Sequence, residues 1–131
     1  MFPFGRPDTP DRPGPVRHIA YVLATDSKPN PPMLLLAYTS SGPWRGAMPR
    51  LPLGVMEFDD SAARAVGQKP LHIDLRCLAQ VPLAKRWFPD LGQIGFGIIG
   101  TAGARVRERI DVMLSDLVTR NRDLIEMRGP R

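Results

Sequence analysis

Leu34 to Gly46 reads LLLAYTSSGPWRG: an apolar run, three hydroxyl residues, a Gly-Pro break and a Trp-Arg pair. Thr39, Ser40 and Ser41 are neutral donors and acceptors of the kind that orient phosphate oxygens. Upstream, VRHIAYVL carries Arg17 and His18, and a Pro-rich turn links it to MLLLAYTSS. Paired as a hairpin, the two segments set Arg17, at the start of one strand, beside Thr39 and Ser40, at the end of the other. A guanidinium supplies a planar fork of donors and a permanent charge, which with the hydroxyls makes a phosphate-binding constellation. In RNA the 2′-hydroxyl is itself a nucleophile. A protein then needs only to stabilise the pentacoordinate phosphorane and assist proton transfer.

Other chemistries find less support. His18 and His72 are the only histidines, and no HExxH, Cys pair or acidic cluster with ligand spacing occurs. Neither a metal site nor a cofactor is indicated. GxSxG and SxxK are absent, and Cys77, the single cysteine, falls on the apolar side of its segment. A covalent nucleophile is therefore not indicated either. GFGIIG, Gly95 to Gly100, matches the dinucleotide fingerprint but lacks the βαβ unit and the later acidic residue. Its glycines are read as letting a strand bend. His18 beside Arg17 is a candidate for proton transfer and equally a structural histidine. His72 shares a strand face with Asp74 and Arg76, where a surface hydrogen-bond network accounts for it as well as chemistry does.

The charge balance points to a polyanion. With 18 Lys and Arg against 13 Asp and Glu, the chain carries a net charge of +5. Its partners are expected to be acidic: nucleic acid first, then an acidic protein or a membrane surface. Two basic-aromatic clusters, PWRGAMPR (43–50) and AKRWF (84–88), add planar faces on which unpaired bases stack. Each taken alone reads equally well as a loop pinned to the core by its aromatic. Trp44, Arg45, Arg50, Lys85 and Arg86, with His18 and Ser41, are the candidate RNA-binding residues, and Arg17, Thr39 and Ser40 the candidate catalytic ones.

The elements that must position these residues are short strands. At 131 residues the chain is long enough for one domain with a real core. Residues 1–15 carry five prolines and read as an irregular arm, with FPF at most a stub of strand. Residues 16–131 read as a single domain. Strands are expected at 17–25, 33–41, 50–58 (weakened by Pro52 and bent at Gly54), 70–81 and 92–100. One helical turn is expected near 59–67. In 70–81, Leu71, Ile73, Leu75 and Cys77 alternate with His72, Asp74 and Arg76, one face apolar and one charged. Beyond Gly103 the period becomes helical, with Val106, Ile110, Met113, Leu114, Leu117, Val118, Leu124 and Ile125 on a stripe to about residue 127. The fold class is mainly β, a small barrel closed by a C-terminal helix. No apolar run approaches the roughly 20 residues of a membrane span. The lone cysteine suits a reducing compartment, and a cytoplasmic location is expected.

At VRHIAYVL and LLLAYTSS the chain resembles the MazF/PemK family of toxin–antitoxin endoribonucleases. In that family a strand opening with Arg is followed by a strand ending in an apolar run plus Thr. IDLRCLAQVP, GIIG and the closing amphipathic helix resemble the family's second half, so the likeness spans roughly residues 16–125. His18 replaces the family's Pro after the Arg, and the Pro-rich arm replaces its opening strand. The resemblance implies an SH3-like barrel, a homodimer and an acidic antitoxin partner. It also implies metal-independent cleavage of single-stranded RNA, with Arg17 and Thr39 in the catalytic roles. The related CcdB toxins share the fold but poison DNA gyrase, so a non-catalytic binding protein is the alternative.

Overall fold

A computed structural model describes residues 2, 4–5, 8–15, 19–41, 44, 51–58, 71–94, 97 and 101–130. Within these the chain is mainly β, with one α-helix near its C-terminal end. The elements are β1 (Ala20–Asp26), β2 (Met33–Ser41), β3 (Val55–Phe58), β4 (Leu71–Pro82), α1 (Ala104–Arg120), a 3₁₀ turn (Arg122–Leu124) and β5 (Glu126–Arg128). The strands form one sheet of order β1-β2-β4-β3, and β5 pairs with β4. β1–β2 and β3–β4 are antiparallel, whereas β4–β5 is parallel. The helical turn expected at 59–67 lies outside the described residues.

β1 and β2 form the hairpin that the sequence suggests. Ala20 stands opposite Tyr38 and Asp26 opposite Met33, with a bulge between Val22 and Ala24. The connection is built from Asp26, whose Oδ1 accepts the Lys28 N–H at 3.0 Å, and from a cis Asn30–Pro31 bond. β2 starts one residue after Pro32, because proline has no N–H to offer a ladder.

The chain packs as two compact units, and the boundary falls inside β2 and β4. The first comprises Met1–Tyr38, Cys77–Gly97 and Glu126–Arg131. Its core is Phe2, Phe4, Leu36, Ala79, Val81, Trp87 and Phe88, flanked by Ala20, Leu34, Tyr38, Cys77, Leu83 and Leu91. Leu34, Leu36 and Tyr38 on β2, and Cys77, Ala79 and Val81 on β4, are alternate residues, as period-two burial requires. Phe2 is the hub: its ring lies 4.8 Å from Phe4 edge-on, 5.8 Å from Trp87 in a stack, and 5.4 Å from Phe88. The N-terminal arm is irregular, as its prolines dictate, yet it is not peripheral. It supplies the unit's aromatic centre.

β5 holds that arm down. The Arg128 guanidinium, buried, donates from Nε to the Gly5 carbonyl at 3.0 Å and from Nη2 to Glu126 at 2.8 Å. The next residue, Gly129, donates its N–H to Pro10 O at 2.7 Å. Its φ of +121° suits glycine alone, and a Cβ there would strike the Gln80 carbonyl.

The second unit comprises Thr39–Arg76 and Ile98–Ile125. Val55, Met56, Leu71, Ile73 and Leu75 from the strands and Ile110 and Leu117 from α1 are buried. At the entry to β3, Gly54 takes φ +93°, and its carbonyl accepts the Leu75 N–H at 2.8 Å. A Cβ on Gly54 would lie 2.9 Å from Leu117 and 3.0 Å from Arg76. Glycine is what lets the turn approach so closely.

Two expectations for the second half of the chain need correction. The helix ends at Arg120, not near 127: Asn121 caps it with φ −140°, its N–H donating to Leu117 O at 2.9 Å. Residues 126–128 instead pair with β4 in parallel, Glu126 opposite Cys77 and Arg128 opposite Ala79, which satisfies their backbone groups in the sheet. Val118, within the helix, and Leu124, beyond it, are placed on the apolar stripe but are exposed. The described part of 92–100 is turn rather than strand, with φ +87° at Gly92 and +133° at Gly97. Residues 95–96 and 98–100 lie outside the described residues.

The aromatic hub gives a prediction. Phe2→Ala should lower stability by about 3 kcal/mol, the range for a large-to-small core change. Chemical denaturation measures it, and a change below about 0.5 kcal/mol would mean the arm is dispensable.

Candidate functional site

The best-defined polar cluster among the described residues sits where the chain leaves β2. In the β3–β4 pair, Glu57 stands opposite His72 and Val55 opposite Asp74. Glu57, His72, Asp74 and Arg76 therefore share one face of the sheet. Trp44 lies against that face. Its backbone N–H donates to Glu57 Oε1 at 3.2 Å. Its ring meets His72 edge-on at 5.6 Å, and the Arg76 guanidinium carbon lies 5.4 Å from its centroid.

Arg76 is oriented by Asp74. Its Nε and Nη2 donate to the two carboxylate oxygens at 2.9 and 2.8 Å, and its backbone N–H adds a third bond at 3.0 Å. The planar fork matches the carboxylate, and the pair fixes the guanidinium over the indole. The network expected for His72, Asp74 and Arg76 is shown for Asp74 and Arg76, while His72 is buried rather than on the surface and meets Trp44 through a ring contact. Trp44 Nε1 is buried and donates to no acceptor.

The local charge decides what this corner can do. Glu57 and Asp74 carry two negative charges against one on Arg76, so among the described residues the corner does not favour a phosphate. What it offers is a ring: a half-buried indole whose orientation is fixed by a cation over it and by an imidazole perpendicular to it. Among the described residues no group of three or more His, Cys, Asp or Glu could hold a metal ion. No helix among them is long and apolar enough to cross a membrane.

The other candidate residues divide. Thr39, Ser40 and Ser41 end β2. Thr39 is only 4% exposed and Ser40 half-buried, and as neighbours in a strand they point to opposite faces. One ligand cannot face both side chains. Arg17, His18, Arg45 and Arg50 lie outside the described residues, as does the side chain of Ser41. Lys85 and Arg86 are exposed on the turn that leaves β4, in the first unit. In AKRWF the aromatics are core residues: Trp87 is 1% exposed and Phe88 7%. Neither can stack on a base, and only the two charges of that cluster face solvent.

The sequence pattern does not single out Glu57 or link Trp44 to Arg76. The alternation in β4 shows the charged face, but the β3–β4 register that brings Glu57 to it is a tertiary fact. No protein family model, no curated protein and no solved structure matches this chain.

Arg76→Ala should uncover Trp44 while leaving the buried Trp87 untouched. The expected result is a red-shifted emission, a larger acrylamide-quenchable fraction, and a stability loss of about 1 kcal/mol. Unchanged quenching would show that Arg76 does not shield the indole.

Proposed function

We propose that this chain binds and cleaves single-stranded RNA without a metal, on a small SH3-like barrel of the MazF/PemK type. The observation that supports the reading is the β1–β2 hairpin. With Ala20 opposite Tyr38, the N-terminal end of β1 adjoins the end of β2 that carries the hydroxyls. This is the strand order and pairing that the resemblance requires.

In this reading Arg17 stabilises the charge of the pentacoordinate phosphorane as the 2′-oxygen–phosphorus bond forms and the bond to the 5′-oxygen breaks, the 2′-hydroxyl proton ending on the leaving 5′-oxygen. The attacking group is the substrate's 2′-hydroxyl. Ser40, the more exposed of the two neighbouring hydroxyls, orients a phosphate oxygen, and Thr39 fixes the strand end from its buried face. Trp44, half-buried, stacks on a base. Arg45, Arg50, Lys85 and Arg86 hold flanking phosphates. A homodimer, an acidic antitoxin and a cytoplasmic location follow from the same resemblance.

One observation favours a second reading, a non-catalytic binder on the same fold. Thr39, given a catalytic role by the resemblance, is almost wholly buried. Its hydroxyl meets a substrate only if β2 ends differently when RNA is bound.

A chimeric oligonucleotide with one ribose in a deoxyribose background separates the two. The ribonuclease cuts at that single position in EDTA and leaves a cyclic phosphate, and Arg17→Ala lowers the rate by about 100-fold or more. Binding without cleavage across all ribose contexts would overturn the enzyme in favour of the binder. Cleavage abolished by EDTA would overturn the metal-independent mechanism.

A further inference from the structure

Of the two acids at the Trp44 corner, only Glu57 keeps an oxygen to offer a ligand. Asp74 is committed to Arg76: Oδ1 accepts the Arg76 backbone N–H and Nε at 3.0 and 2.9 Å, and Oδ2 accepts Nη2 at 2.8 Å. Glu57 Oε1 accepts the Trp44 backbone N–H at 3.2 Å. Among the described residues Glu57 Oε2 accepts no bond, and the residue is exposed. A carboxylate with acceptor capacity to spare is thus tied to the residue whose ring takes a base.

The bases differ in what they show a carboxylate, which when ionised can only accept. Guanine carries two adjacent donors on its Watson–Crick edge, N1–H and the N2 amino group, side by side as the oxygens of a carboxylate are. Adenine and cytosine set one amino donor next to a ring nitrogen that accepts. Uracil sets its single N–H between two carbonyls. Each of these three turns lone pairs towards Glu57 where guanine turns hydrogens. The charge of the corner acts in the same direction: with two carboxylates against one guanidinium, it favours a group rich in donors.

We infer that the base held at Trp44 is guanine, read by Glu57 through N1–H and the N2 amino group. The inference rests on the RNA reading and names the base that the strand presents at this corner. Glu57 is then a specificity-determining residue and takes no part in the bond-breaking step.

Fluorescence anisotropy with short 2′-O-methyl oligouridines carrying one central G, A, C or U tests it, because these strands lack the nucleophile and report binding alone. The wild type should bind the G strand about tenfold tighter than the other three, as a bidentate base contact does. Inosine, which keeps N1–H and lacks the N2 amino group, should lose about threefold or more of that preference. Glu57→Gln keeps an acceptor for the Trp44 N–H and replaces the other oxygen with a donor, so the preference for G should vanish. The variant also loses a negative charge, which helps every strand alike; the ratio between bases is therefore the readout, with circular dichroism as the folding control. Equal affinity for the four strands overturns the inference and leaves the RNA reading standing. So does a preference for G that survives Glu57→Gln, or inosine bound as tightly as guanosine. No binding of any strand at low salt overturns the RNA reading and the inference together.

Discussion

The backbone ladder of β4 is the constraint on which the described structure depends. β2 pairs along one side of this strand, while β3 and β5 occupy successive stretches of the other. Ile73, Leu75, Ala79 and Val81 have no exposed surface. An unpaired amide at such positions would cost about 1–3 kcal/mol. The three partner strands are thus forced into register with β4. Glu57 reaches His72, and Arg128 reaches Gly5, because of where β4 places their strands.

The same register gives the candidate site its form. His72, Asp74 and Arg76 lie on one face because strand side chains alternate. Their order along β4 lets Asp74 hold Arg76 over the indole while His72 meets the same ring at a right angle. Trp44 is held by contacts to Glu57, His72 and Arg76. In the proposed reading the indole gives a base a face, and the hydroxyls give phosphates donors. In the proposed division of labour the ring-binding corner and the phosphate-binding arginines are separate, because the corner's own carboxylates oppose phosphate.

Much of the strand structure is legible in the sequence, for physical reasons specific to each segment. β2 runs from Met33 to Ser41 because Pro31 and Pro32 precede it and Gly42-Pro43 follow. The Leu71–Val81 alternation announces β4 and its charged face. Features that depend on distant partners are not legible. β5 is three residues long and has no periodicity of its own; only the open ladder at Cys77–Ala79 makes it a strand. The helix end at Asn121 follows from that recruitment, whereas local signals place it at Arg128-Gly129-Pro130. Phe2 and Phe4 sit among prolines that forbid regular structure, which says nothing against burial. In AKRWF, Trp87 suits a base-stacking residue and a core pin equally, and the Phe2 ring stacked beside it decides for the core.

Native-state hydrogen exchange tests the organising role of β4 most directly. If the strand is the common support of the others, its amides between His72 and Val81 exchange only through global unfolding and are the slowest in the chain. Amides of β1, and those in the first turn of α1, which has no side-chain cap, exchange earlier. Faster exchange in β4 than in β1 or in the centre of α1 would contradict the account.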